Sequence, residues 1–145
     1  MIMPDFKDFP RSGRIIGFDW GARRTGVAVS DESREFVFVR TPIVNGDMVH
    51  QMVDLALSEH VVGIVIGLPL RTDGTESETT KMVRDVATKI SQYTDLPICF
   101  IDEVLTSTMA AEQGDFHSVK DVKEKLDSES ARIILENAIA VINRL

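Results

Sequence analysis

Apolar and polar positions follow a strand-like pattern early in the chain and a helical one after it. Residues 14–19, 26–30 and 35–39 are short apolar runs separated by brief polar links, the pattern of three strands. Links that short predict consecutive antiparallel neighbours. The period then lengthens: behind Asp47, a ready N-cap, Val49, Met52, Val53 and Ala56 recur at helical spacing. Residues 61–66 are almost wholly apolar, as in a central strand covered on both faces. Thr75-Glu-Ser-Glu78 has the spacing of a capping box, and Met82, Val83, Val86, Ala87 and Ile90 supply the next apolar stripe. Residues 97–101 predict a fifth strand. Ser and Thr at 106–108 predict the cap of a helix over 109–113, stopped by Gly114. Residues 113–125 are polar and predict a mobile loop that orders on substrate. A last helix is predicted from about Asp127 to Leu145, with Ala131, Leu135, Ala138 and Ile142 on one face.

Three antiparallel strands followed by helix, strand, helix, strand and helices predict an α/β fold. Its mixed five-stranded sheet has a parallel last pair and helices on both faces. The order fits a ribonuclease H-like fold; a flavodoxin-like sheet would place a helix directly after its first strand. Residues 1–13, with two prolines and no periodicity, read as a flexible lead-in to a single domain over 14–145.

Charge narrows the function classes. Sixteen basic against 23 acidic residues give a net charge of −7, which argues against a broadly basic nucleic-acid coat. Arginines nevertheless concentrate in the first half, leaving room for a local basic patch. The longest apolar stretch, residues 61–70, is half the roughly 20 needed for a membrane span, and no secretory signal opens the chain. Cys99, flanked by Ile98 and Phe100, reads as a buried thiol. A cytoplasmic location without membrane association is expected; oligomeric state is not legible.

Dinucleotide and Walker glycine motifs are absent, and so is a serine-nucleophile elbow. His50, His60 and His117 lie too far apart for metal-ligand spacing. Carboxylates at element ends are the stronger signal. Asp19 ends the first strand on the face of Ile15 and Gly17, with Gly21 leaving room for a ligand's approach. Glu103 follows the fifth strand on the face of Ile101, whereas Asp102 points the other way and is expected to cap the next helix. Asp127 opens the last helix, where Ser130 and Ala131 would let that turn press on the sheet. A turn aspartate and a helix cap are the plain alternatives for Asp19 and Asp127. The predicted sheet brings all three acids to one edge, and their mutual repulsion calls for cations. Hard oxygen ligands suit Mg²⁺ or Mn²⁺.

The sequence resembles the YqgF (RuvX) family of ribonuclease H-like proteins from about Arg14 to Leu145. The resemblance rests on Gly17-Phe-Asp-Trp-Gly21, Arg24-Thr-Gly-Val-Ala-Val-Ser-Asp31, Gly67-Leu-Pro-Leu70 with Asp73-Gly-Thr75, Asp102-Glu-Val-Leu-Thr106 and Asp127-Ser-Glu-Ser-Ala131. Any one segment is weak; the five in order are specific. The resemblance implies a metal-dependent nuclease that matures the 5′ end of pre-16S rRNA, with Asp19, Glu103 and Asp127 as catalytic acids holding two Mg²⁺ or Mn²⁺ ions. Cleavage of four-way DNA (Holliday) junctions is the alternative. The small ribosomal subunit is an implied partner. Val104 stands where the family usually carries arginine, which removes a guanidinium suited to phosphate. Arg23, Arg24, Arg71, Lys120, Lys123 and Lys125 are the candidates for holding substrate. Two other classes stay open: a catalytically silent RNA- or ribosome-binding module, and a small actin-like ATPase, for which the chain is short.

Overall fold

The computed structural model describes residues 1–103 and 119–145, with side chains described for 1–103 and 129–145. Five strands, β1 (Ile15–Asp19), β2 (Thr25–Ser30), β3 (Val37–Ile43), β4 (Gly63–Leu68) and β5 (Ile98–Asp102), form one sheet in the order β3-β2-β1-β4-β5. The first three pair antiparallel, while β1–β4 and β4–β5 are parallel. This is the mixed sheet that the pattern of short links followed by helical crossovers predicts.

Each sheet face buries its own core. Ile16, Phe18, Val27, Val29, Ile64 and Ile66 pack under α1 (Met48–Ser58) and α2 (Glu78–Ser91). On the other face Ile15, Ala28, Val65 and Cys99 meet Ala131, Ile134, Leu135 and Ala138 of α3 (Val119–Asn143). β4 is buried along its whole length because helices cover it on both sides. Burial also pushes the Cys99 thiol up to about 12, so it behaves as a small apolar group. A cavity-free approach of α3 depends on Gly17: a Cβ there would stand 3.0 Å from Leu135 Cβ and 3.3 Å from the Ala131 carbonyl oxygen.

Several boundaries differ from the sequence pattern for physical reasons. β3 runs on through Pro42 to Ile43, since an edge strand tolerates a proline that donates no ladder bond. The capping box of α2 is Ser77 with Thr80, not Thr75 with Glu78. Thr75 is already committed: its carbonyl accepts from Arg71 N–H at 2.9 Å, and a bridge between Leu70 and Glu76 holds the preceding loop. Met82 is exposed and Thr80 takes the inner position. α3 begins at Val119, so residues 119–125, expected as loop, are helical. Val119, Val122 and Leu126 are helically spaced among three lysines and a glutamate that favour helix. The expected helix over 109–113 and the rest of the expected loop lie outside the described residues.

The lead-in is not loose. Met3 N–H donates to the Ile98 carbonyl at 2.8 Å, Ile98 N–H donates to the Met1 carbonyl at 2.7 Å, and residue 2 bridges β5. Phe6 and Phe9 are buried in a T-shaped pair, and the Phe9 ring fills the space left by the absent side chain of Gly63. Two phenylalanines three apart were too sparse a pattern to read as core.

Candidate active site

Parallel pairing sets the site's geometry. Phe18 is level with Ile66, Ile66 with Phe100, and Gly67 with Ile101, so the C-terminal ends of β1, β4 and β5 form one edge. Asp19, Gly67 and Glu103 share the face that α3 covers, because residues 15 and 17, 65, and 99 and 101 all look that way. Glu103 continues the β5 register beyond the strand, its N–H donating to the Leu68 carbonyl at 3.1 Å. β4 stands between the two acids.

Only a residue without a side chain lets those acids meet across β4. A Cβ on Gly67 would lie 2.9 Å from Glu103 Cδ and 2.5 Å from Ile134 Cδ1. The Glu103 carboxyl therefore occupies space that any other residue at 67 would take. There it is hydrogen-bonded to Asp19, and burial, then the charge and hydrogen bond of Asp19, push it up to about 8. That environment favours the neutral form of the Glu103 carboxyl near neutral pH. Glu103 Oε2 is buried without a hydrogen-bond partner among the described residues.

Asp127 lies within α3, one turn before Ala131, whose carbonyl oxygen approaches Gly17 two residues from Asp19. Its side chain, and those of Lys120, Lys123 and Lys125, are outside the described residues, as is all of Val104. Among the described residues no group of three or more His, Cys, Asp or Glu side chains is arranged to hold a metal ion. The Asp19–Glu103 pair nonetheless has the chemistry of a hard-cation ligand set: carboxylate oxygens only, with Glu103 Oε2 buried and without a partner among the described residues. Asp102 faces the opposite side, where its charge acts on Arg84; the helix it was expected to cap is outside the described residues.

The arginine candidates separate. A cavity of about 440 Å³ is lined by Arg23 and Arg24 of the β1–β2 turn together with Asn45 and Gly46. That turn is held tight at Gly21, where a Cβ would meet the Arg24 carbonyl oxygen at 2.4 Å. Arg71 instead closes its own loop, donating to the Glu76 carbonyl at 2.9 Å. Sequence reasoning missed the roles of Gly67 and of the Asn45–Gly46 turn. A glycine inside an apolar central strand and an Asn-Gly dipeptide before a helix were the available signals.

Comparison with known proteins shows the family and the fold. A family model described as RuvX, Holliday junction resolvase, matches residues 13–140. A relative in Maridesulfovibrio salexigens named "Putative pre-16S rRNA nuclease" is 36% identical over 88% of this chain and 98% of its own. One of the same name in Sulfurihydrogenibium is 37% identical over 85% of this chain and 87% of its own. In fold, the chain is similar to Thermus thermophilus RuvC solved with a Holliday junction substrate. The TM-score is 0.55 at 8% identity, covering 91% of this chain and 96% of the other. A second Thermus thermophilus RuvC structure gives 0.52 at 10% identity, covering 90% of this chain and 96% of the other.

Proposed function

We propose a function from the premise that this chain belongs to the RuvX family: it is a nuclease, a phosphodiester hydrolase that matures the 5′ end of pre-16S rRNA in the cytoplasm. One observation carries the reading. The partly buried Asp19–Glu103 pair sits at the strands' C-terminal edge, and its Glu103 Oε2 is buried without a hydrogen-bond partner among the described residues, an arrangement that a cation would relieve. Asp19 and Glu103, joined by Asp127 from α3, would hold Mg²⁺ or Mn²⁺. When bound, such ions supply a nucleophilic water and neutralise charge at phosphorus.

The chain's own residues prepare that chemistry. Gly67 leaves the space in which Glu103 reaches Asp19. A proton on Glu103 would keep the pair from repelling itself apart when no cation is present, and it must leave as a cation binds. Arg23 and Arg24, which line one cavity beside the β1–β2 turn, would hold phosphates near the scissile one, where a guanidinium contact both binds and orients. Since the body is acidic, substrate binding should be local and should weaken as salt rises.

The family description and the Holliday junction bound to the RuvC relative give four-way DNA a specific claim as the alternative substrate. Cleavage of pre-16S rRNA leader, single-stranded RNA and a four-way DNA junction, side by side in Mn²⁺, decides between them. Precursor rRNA should be cut at the lowest protein concentration. Preferential cutting of the junction would replace the rRNA reading, and cutting of none would leave a silent binding module.

A further inference from the structure

β3 is an edge strand whose free side is open. It ends the order β3-β2-β1-β4-β5, and it pairs antiparallel with β2, Phe38 opposite Val29 and Arg40 opposite Val27. Asp31 N–H donates to the Phe36 carbonyl at 3.1 Å, so by alternation Phe36, Phe38 and Arg40 turn their backbone groups toward β2. The N–H and C=O groups of Val37 and Val39 therefore point away from the sheet. Apolar side chains stand open beside them: Phe36 is 61%, Phe38 45% and Val39 44% exposed. The features that keep an edge from pairing are weak here. Arg40, the strand's one charge, is tied back to Glu59 at 3.0 Å, and Pro42 comes only after the open stretch.

The same edge carries a projection at one end and a recess at the other. At the start of β3 the Phe36 ring stands next to Phe38, with centroids 6.5 Å apart. Toward its end a cavity of about 500 Å³ opens between β3 and α1, with Pro42, Val44 and Leu55 in its walls. Both features lie on the α1 face, since Phe38 and Arg40 pair with Val29 and Val27 of the core beneath that helix. A twofold axis at Val39 lays the strand antiparallel against a copy of itself. Val39 then meets Val39, Val37 meets Thr41, and the outward backbone groups bond across the axis. On the α1 face Phe38 comes opposite Arg40, a pairing the chain already makes within itself at 5.9 Å. Phe36 comes level with Pro42, at the recess. Moving the axis to Arg40 would set two like charges opposite each other, and moving it to Phe38 would take Phe36 away from the recess.

We propose that β3 is a dimer interface and that the occupant of its free edge is β3 of a second copy of this chain. The contact is isologous: Phe36 of each copy seats in the recess of the other. It is made by backbone bonds and apolar contact between bodies that each carry −7, so salt should strengthen it by screening their repulsion. Binding of a polyanion would weaken instead. A contact confined to one strand is at the small end of stable interfaces, so monomer and dimer should exchange as concentration changes. The proposal does not depend on the nuclease reading.

Sedimentation of the full chain across the micromolar range, in low and high salt, is the test, together with a cysteine cross-link. Wild type should dimerise, and more tightly in high salt. Val39→Lys sets like charges opposite each other across the axis, and Phe36→Ser empties the recess. Each should weaken the dimer about tenfold while leaving the melting temperature of the dilute monomer unchanged. Val39→Cys should link two copies on mild oxidation, because bonded partners hold their Cα atoms about 5.5 Å apart. Val37→Cys should not, because the two copies of residue 37 stand four residues out of level. Cys99 is buried and does not compete. A chain that stays monomeric overturns the proposal, as does a dimer that high salt dissolves or that survives both Val39→Lys and Phe36→Ser. Linking of Val37→Cys as fast as Val39→Cys would overturn it too.

Discussion

Glu103→Gln will abolish cleavage and yet raise the melting temperature of the metal-free protein at neutral pH. The carboxyl is largely buried and pushed up to about 8 by its surroundings and by Asp19. In the unfolded chain the same group ionises near 4.5. A carboxyl raised on folding favours the folded state below its unfolded value, and that advantage is lost as pH rises toward the folded one. At pH 7 the penalty is on the order of 2–3 kcal/mol. A glutamine amide carries no such penalty and can still bond Asp19, so melting should rise by several degrees. It is a poorer ligand for a hard cation, so cleavage should fall by about a thousandfold or more. Melting curves at pH 5 and pH 7 in EDTA check the stability half. The gain should be present at pH 7 and largely absent at pH 5, and a gain equal at both would remove the buried proton from the explanation.

Gly67→Ala should damage the site without touching a carboxylate. The added methyl would lie 2.9 Å from Glu103 Cδ and 2.5 Å from Ile134 Cδ1. Overpacking of this kind costs about 1–3 kcal/mol. It can be relieved only by moving Glu103 out of its space or α3 off the sheet, and either separates groups that must meet. Cleavage should drop by about a hundredfold, since small displacements of catalytic groups cost that much. Gly67→Ala/Ile134→Val removes the Cδ1 clash and should recover stability more than activity. Equal recovery of both would show that the helix, not Glu103, bears the strain.

The sequence pattern carried most of the fold because each sheet face has its own apolar set. Residues 16, 18, 64 and 66 alternate with 15 and 65, and the helices show the matching stripes. It failed where a tertiary contact outweighed local pattern. Phe6 and Phe9 are core residues in a segment with no period, because Gly63 on a distant strand leaves a place for one of them. Thr75 has the spacing of a cap but is held in a loop by Arg71. At the site, alternation from Gly17 to Asp19 and from Ile101 to Glu103 correctly puts the two acids on one face. That they touch depends on β4 lying between β1 and β5 with glycine at the right level. A strand order is a long-range fact that a single strand's pattern does not contain.

Cleavage of the pre-16S rRNA leader by wild type and by Asp19→Asn, in Mn²⁺ and in EDTA, tests the central claim most directly. Asparagine keeps the shape and a hydrogen bond toward Glu103 while removing the charge. Cleavage by wild type in Mn²⁺ alone, with Asp19→Asn folded and inactive in both buffers, is the result expected of a carboxylate site that works with a cation. Undiminished cutting by Asp19→Asn, or wild-type cutting that persists in EDTA, would contradict it.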